Sequence, residues 1–274
     1  MATPLTIEDV ATLLPKRPSA VVPLPSKGLF YDPNVVKDGK VEMYPMSARE
    51  EKLVAGMNGS NNEEIIDTLL KRCLVTKLDP DEMLTTDRFY LLLMLRANSY
   101  GEDYNFELMC PHCEKQSKYT VKIPGDFELK EASTKDMEPF SCKLPVSGLE
   151  ISFRLLRGKD SKSIKTYVDQ ETKRGIRDGN PGYLFRTALQ IKAVSGRPLD
   201  ILTANEFVGR LSAKDSAFLK NVIDKKTPGI ITAVRKNCNL CGKEISTDMP
   251  ISAEFFRPDY GTENVSDGDG TSSN

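Results

Sequence analysis

Cys110-Pro111-His112-Cys113 and Cys238-Asn239-Leu240-Cys241 decide how the rest of this chain is read. In each, two intervening residues let both sulfurs of one turn point at a single ion, while following backbone amides soften the thiolate charge. Two such knuckles supply four ligands, the complement of a tetrahedral zinc with no position left for water or substrate. One zinc per chain, held by Cys110, Cys113, Cys238 and Cys241, would serve folding rather than catalysis. The alternative makes each pair a separate redox site or a disulfide. Zinc is preferred because both pairs have knuckle-like neighbours, Pro111 and Gly242 among them. The 124 residues between the pairs exceed the usual ribbon spacing of about 12–20, so the ribbon would be split. His112, the only histidine, reads as a solvent-facing turn residue beside four better donors.

Outward from the knuckles, Tyr104, Phe106 and Leu108 alternate as a strand into Cys110, and strands beside each pair predict two hairpins. A shift of 128 residues lays Cys110 on Cys238, Cys113 on Cys241, Asp87 on Asp215 and Leu91 on Leu219. Earlier in each half the shift is nearer 110, matching Val41 with Ile151 and Glu50 with Asp160. The expectation is an α+β fold of two similar helix-plus-hairpin halves, an internal duplication joined by a split zinc ribbon with four cysteine ligands.

The expected boundaries follow composition. Residues 1–40 carry Pro15, Pro18, Pro23, Pro25 and Pro33 and read as an extended arm. Its apolar stretch Ala20–Tyr31 should lie in a groove of this protein or of a partner, and deleting the arm should spare folding while abolishing docking. Residues 41–125 form the first unit. It holds a strand over Val41–Met46, a capping box at Ser47-x-x-Glu50 opening a helix over Ala48–Ala55, and another box at Ser60-x-x-Glu63. Ile65, Ile66, Leu69, Leu70, Cys73 and Leu74 recur at helical spacing, which makes Cys73 a core residue. Leu84-Thr85-Thr86-Asp87 caps a helix through Leu95. Residues 126–149, rich in Pro, Gly and charge and containing Cys142, read as a linker. Residues 150–258 form the second unit, with a strand over Glu150–Leu155, helices from Asp160, over Leu184–Val194 and from Thr203-x-x-Glu206, and a break at Gly196-Arg197-Pro198. Residues 259–274 read as a disordered acidic tail.

Charge and composition exclude much. A formal net charge of -1 disfavours a general nucleic-acid binder, which gains affinity from clustered Lys and Arg. Glu8 and Asp9 sit where a signal peptide needs positive charge, and no apolar run is long enough for a membrane span, so a cytosolic protein is expected. With one histidine, no Walker loop and no dinucleotide fingerprint, no catalytic constellation emerges.

Leu24-Pro25-Ser26-Lys27-Gly28-Leu29-Phe30-Tyr31, Tyr44-Pro45-Met46-Ser47-Ala48-Arg49-Glu50-Glu51, Leu69-Leu70-Lys71-Arg72-Cys73 and Arg96-Ala97-Asn98-Ser99-Tyr100-Gly101 follow one another ahead of the first knuckle. This ordered succession resembles the T-even-type phage baseplate hub assembly family. The resemblance implies a viral, non-enzymatic role in building contractile tails, as a hub component of the virion or as an assembly chaperone. It implies partners among other baseplate or tail hub proteins, and no small-molecule substrate or membrane. Expected locations are the host cytoplasm during assembly and the tail baseplate. The competing reading, suggested by the ribbon and disfavoured by the charge balance, is a zinc-ribbon nucleic-acid-binding or regulatory protein.

Overall fold

Prolines stop constraining the chain between Leu5 and Leu14, and there the arm departs from extended structure. The Thr6 hydroxyl accepts from the Asp9 amide and the Asp9 carboxylate accepts from the Thr6 amide, a capping box that opens α1 (Ile7–Leu13). The computed structural model describes residues 4–14, 17–58, 61–175, 179–251 and 253–256. Ser60 and the expected tail over 259–274 lie outside them.

The first half continues with β1 (Ala20–Pro23), β2 (Lys40–Met43), α2 (Ala48–Ala55), α3 (Asn62–Cys73), α4 (Thr85–Tyr100) and the hairpin β3 (Asp103–Met109) and β4 (Gln116–Lys122). Next come β5 (Glu128–Lys130), β6 (Phe140–Lys143), β7 (Glu150–Phe153), α5 (Gly158–Lys173), α6 (Gly182–Ala188), β8 (Ile191–Val194) and β9 (Arg197–Pro198). The described part closes with α7 (Ile201–Arg210), α8 (Ala213–Lys226), β10 (Gly229–Ile231), the hairpin β11 (Ala233–Asn237) and β12 (Glu244–Asp248), and a 3-10 turn over Ala253–Phe256. All strand pairings are antiparallel: β1 with β2, β3 with β4, β5 with β10, β11 with β12, and a four-stranded sheet ordered β6-β7-β8-β9. The fold is α+β, a mixture of helices and small antiparallel sheets.

Several expectations need correction, each for a nonlocal reason. Beyond its first helix the arm is built into the fold, since β1 pairs with β2 and Val22, Leu24 and Val36 are buried, so of the two expected places its apolar stretch takes the one in this protein. The stretch read as a linker carries β5 and β6, which pair with β10 and β7. The helix expected over Leu184–Val194 stops at Ala188, since Ile191–Val194 joins β7 in the sheet. The expected break at Gly196 is a tight turn, with Ser195 at φ 48° and Gly196 at φ 77°, between β8 and β9. The cap of α7 is Asp200, whose side chain accepts from the Thr203 amide, three residues before the expected start. Asp87 does not cap α4; its carboxylate accepts from the Ser26 amide (3.3 Å) and the Tyr31 hydroxyl (2.6 Å).

That Asp87 contact has a counterpart. In the loop Leu24-Pro25-Ser26-Lys27-Gly28-Leu29 a backbone amide meets Asp87 on α4. In Leu144-Pro145-Val146-Ser147-Gly148-Leu149 the amides of Val146 (2.8 Å) and Ser147 (3.0 Å) meet Asp215 on α8. Gly28 and Gly148 both take the left-handed conformation, φ 74° and 70°. The surroundings of the two carboxyls nevertheless shift them in opposite directions. Burial pushes Asp87 up, past what its few donors recover. Burial also pushes Asp215 up, but the Val146 and Ser147 amides and two serine hydroxyls outweigh it and hold it down.

The cores do not divide as the chain does. The larger one joins β1, β2, α2–α4 and the β3–β4 hairpin to Val234 and Ile245 from the C-terminal hairpin and to Met249, Phe255 and Phe256 just after it. The second gathers β6–β8, α7 and α8 around Phe153, Leu155 and Leu219, and takes Leu84 from the first half. At the junction, Thr85 donates to the Leu156 carbonyl and Gly158 to the Met83 carbonyl. Glycine is required there, because a Cβ at 158 would sit 2.0 Å from the Pro80 oxygen. Buried Asp67 on α3 accepts from Arg88 on α4 (2.7 Å) and pairs with Lys162 on α5 (2.6 Å). Asp67→Ala leaves the buried Arg88 guanidinium with Glu63 alone. It is expected to cost about 3–5 kcal/mol, read as a lowered urea midpoint at unchanged slope.

Candidate metal centre

The β3–β4 register ends at Met109↔Gln116 and that of β11–β12 at Asn237↔Glu244, so each cysteine pair falls in the turn its hairpin closes. The two turns have the same internal bonds. Cys110 donates its amide to the Lys115 carbonyl (3.0 Å) and Cys238 to the Lys243 carbonyl (2.8 Å). The Glu114 and Gly242 amides return to the carbonyls of Cys110 and Cys238, both at 2.9 Å. Glu114 and Gly242 have positive φ, 57° and 72°, which turns the chain back after the second cysteine. The amide two residues after each first cysteine, His112 and Leu240, donates to that cysteine's sulfur at 3.4 Å. This is the amide-to-sulfur bonding that spreads thiolate charge.

The two turns meet face to face. The Cys110 and Cys241 sulfurs are 3.7 Å apart, those of Cys113 and Cys238 are 3.8 Å apart, and all four lie within 4.8 Å of one another. Four sulfurs about 2.3 Å from a central zinc define a tetrahedron with edges of roughly 3.8 Å, so the cluster has the size of a tetrathiolate site. A disulfide needs about 2.05 Å, and all six cysteines are free. Each of these two approaches joins a sulfur of one hairpin to a sulfur of the other, so an ion here would tie the two hairpins together. Cys110 and Cys238 are buried, Cys113 half-buried and Cys241 exposed. The amides of Cys241 and Leu240, with help from neighbouring thiols, pull Cys238 down to about 6. At Cys113 the Lys115 amide draws the same way, but burial and the three other thiols push it up to about 11.

Side chains fasten the hairpins beyond the sulfurs. His112 lies exposed outside the sulfur set, and its Nε2 donates to the Glu244 carbonyl at 3.2 Å. The Asn239 amide group donates to the Lys118 carbonyl at 3.2 Å. Sequence reasoning missed both bridges, because nothing in the spacing of one hairpin says what its partner offers. Below them Tyr104 donates to the Pro250 carbonyl (2.8 Å) and packs edge-on against Phe255, with buried Arg96 over both rings. Cys73 sits in the core as expected, its thiol pushed up to about 11 by burial, and Cys142 is half-buried in β6; neither joins the cluster.

A family model described as T4 bacteriophage base plate protein matches residues 29–257. The chain belongs to this family. The base plate match takes in both knuckles, both hairpins and the junction between the cores, so the sulfur cluster lies inside the part of the chain the family defines. No curated protein sequence and no solved structure gives a significant match. Among the described residues no helix is long and apolar enough to cross a membrane.

Proposed function

We propose that this base plate protein is a non-enzymatic structural or assembly component of the hub in a contractile phage tail, stabilised by one structural zinc on Cys110, Cys113, Cys238 and Cys241. The observation that carries the role is the family match over residues 29–257. Tetrahedral sulfur sets suit zinc or iron–sulfur chemistry. Zinc is the choice here because a closed four-thiolate site leaves no coordination position for a reaction, as befits a part that must hold shape. The partners are other baseplate or tail hub subunits, met in the host cytoplasm during assembly and retained in the tail if the protein is a virion part.

The halves are read as products of an internal duplication. What supports this is the recurrence of pieces in one order: a strand leading into a Leu-Pro-x-x-Gly-Leu loop, a helix opening at Ala48 and again at Gly158, a buried Asp87 or Asp215 that grips the loop, and a cysteine-tipped hairpin. Joining both tips through one ion then gives two related units a fixed spacing, which suits a subunit whose task is to set the geometry of its neighbours.

Quantitative mass spectrometry of purified mature particles and of isolated baseplate intermediates tests the role. The protein is expected at fixed stoichiometry in the intermediates. Persistence in mature particles makes it a hub subunit, and loss makes it an assembly chaperone. Absence from both contradicts the proposal.

A further inference from the structure

Tyr119 on β4 faces Phe106 across the hairpin, with ring centroids 6.3 Å apart, and is only 6% exposed. Its hydroxyl is buried and makes no hydrogen bond. Such a group is costly to leave unpaired in a packed interior. The groups within its electrostatic reach are the Cys238 sulfur, the Asn239 amide and the Ser117 hydroxyl. The Asn239 side chain, bonded to the carbonyl of Lys118, pins the second knuckle against β4 one residue from Tyr119. A neutral thiol is a weak acceptor, whereas a metal-bound thiolate is a strong one. Cys238 Sγ is met by the backbone amides of Leu240 and Cys241 from its own turn, and Tyr119 brings a side-chain donor from the other hairpin.

We propose that the Tyr119 hydroxyl donates to the Cys238 thiolate once the four cysteines hold their metal, which makes Tyr119 a positioning residue of the centre. This rests on the zinc reading above. The phenol completes its own hydrogen bonding only when the site is loaded, so metal binding and packing of the hairpin interior are coupled. It also reaches across the interface, from the first hairpin to a ligand of the second, and so orients the far half of the site. The position 128 residues on is Thr247, too short to return the favour, so the support is one-sided.

Tyr119→Phe keeps the ring and its packing on Phe106 and removes only the oxygen. In cobalt-substituted protein the variant is expected to move the sulfur-to-metal charge-transfer band to lower energy and to weaken metal affinity about tenfold in chelator competition. An unchanged band and affinity would overturn the proposal while leaving the metal site standing. Failure of the wild-type protein to take up cobalt or zinc would overturn the zinc reading and this one with it. Should the variant not fold, wild-type protein loaded with a spin-active cadmium isotope supplies the same test by NMR. A slowly exchanging Tyr119 hydroxyl proton coupled to cadmium is expected, and a fast-exchanging, uncoupled proton refutes the bond.

Discussion

Cys238→Ser is expected to loosen the first hairpin as much as the second, although more than a hundred residues of chain lie between Cys238 and β4. Structural zinc contributes apparent folding free energies of about 10–16 kcal/mol in small zinc-finger peptides. Losing one of four thiolates forfeits only part of that, but several kcal/mol is a large share of the ~5–15 kcal/mol by which a domain is stable. The loss spreads because Val234, Ile245, Met249, Phe255 and Phe256 are members of the larger core, so a freed C-terminal hairpin withdraws apolar surface from β3, β4 and α4. Hydrogen exchange is the measurement: amides of β3–β4 and β11–β12 should lose protection together, while Cys142→Ser, outside the cluster, should leave both unchanged. Undiminished protection of β3–β4 in Cys238→Ser would mean that the halves are not tied through the sulfurs. Acid should mimic the substitution, since protons compete with metal for the four sulfurs.

Deleting residues 1–40 should abolish the folded state rather than yield a folded protein unable to dock. The deletion removes β1 and buried Val22, Leu24 and Val36, each worth about 1.5–3 kcal/mol of burial. It also strips Asp87 of Ser26 and Tyr31, leaving a buried carboxyl with neither donor. Those terms together approach the whole stability of a domain. Removing only the segment through Leu14 should spare the fold, because Leu5, Leu13 and Leu14 are two-thirds exposed and outside both cores. Circular dichroism and a urea titration of the two truncations separate the outcomes. A cooperative transition in the longer truncation would show that the arm is dispensable after all.

Local chemistry was legible in the sequence wherever a residue's partner lies within a few positions of it. The Ser47 and Glu50 side chains reach each other across one turn, so α2 reads correctly from the capping box to its last residue. Alternating Tyr104, Phe106 and Leu108 gave β3, and the Cys-x-x-Cys spacing placed a turn at the tip of each hairpin. What stayed hidden depends on distant partners. Ile191–Val194 is apolar and short enough to suit either a helix end or a strand, and only pairing with β7 decides. Prolines around Ala20–Tyr31 argue against helix but say nothing of burial, which comes from β2 and Asp87. The C-terminal hairpin belongs to the second half in sequence yet packs in the first core, and no local pattern encodes that choice.

The central claim is that one metal ion joins the two hairpins. X-ray absorption at the zinc edge on protein purified without added metal, with elemental analysis of the same sample, tests it most directly. One zinc per chain surrounded by four sulfurs at about 2.3 Å is the expected result. A cooperatively folded protein without bound metal, or a metal ringed by nitrogen and oxygen, would contradict it.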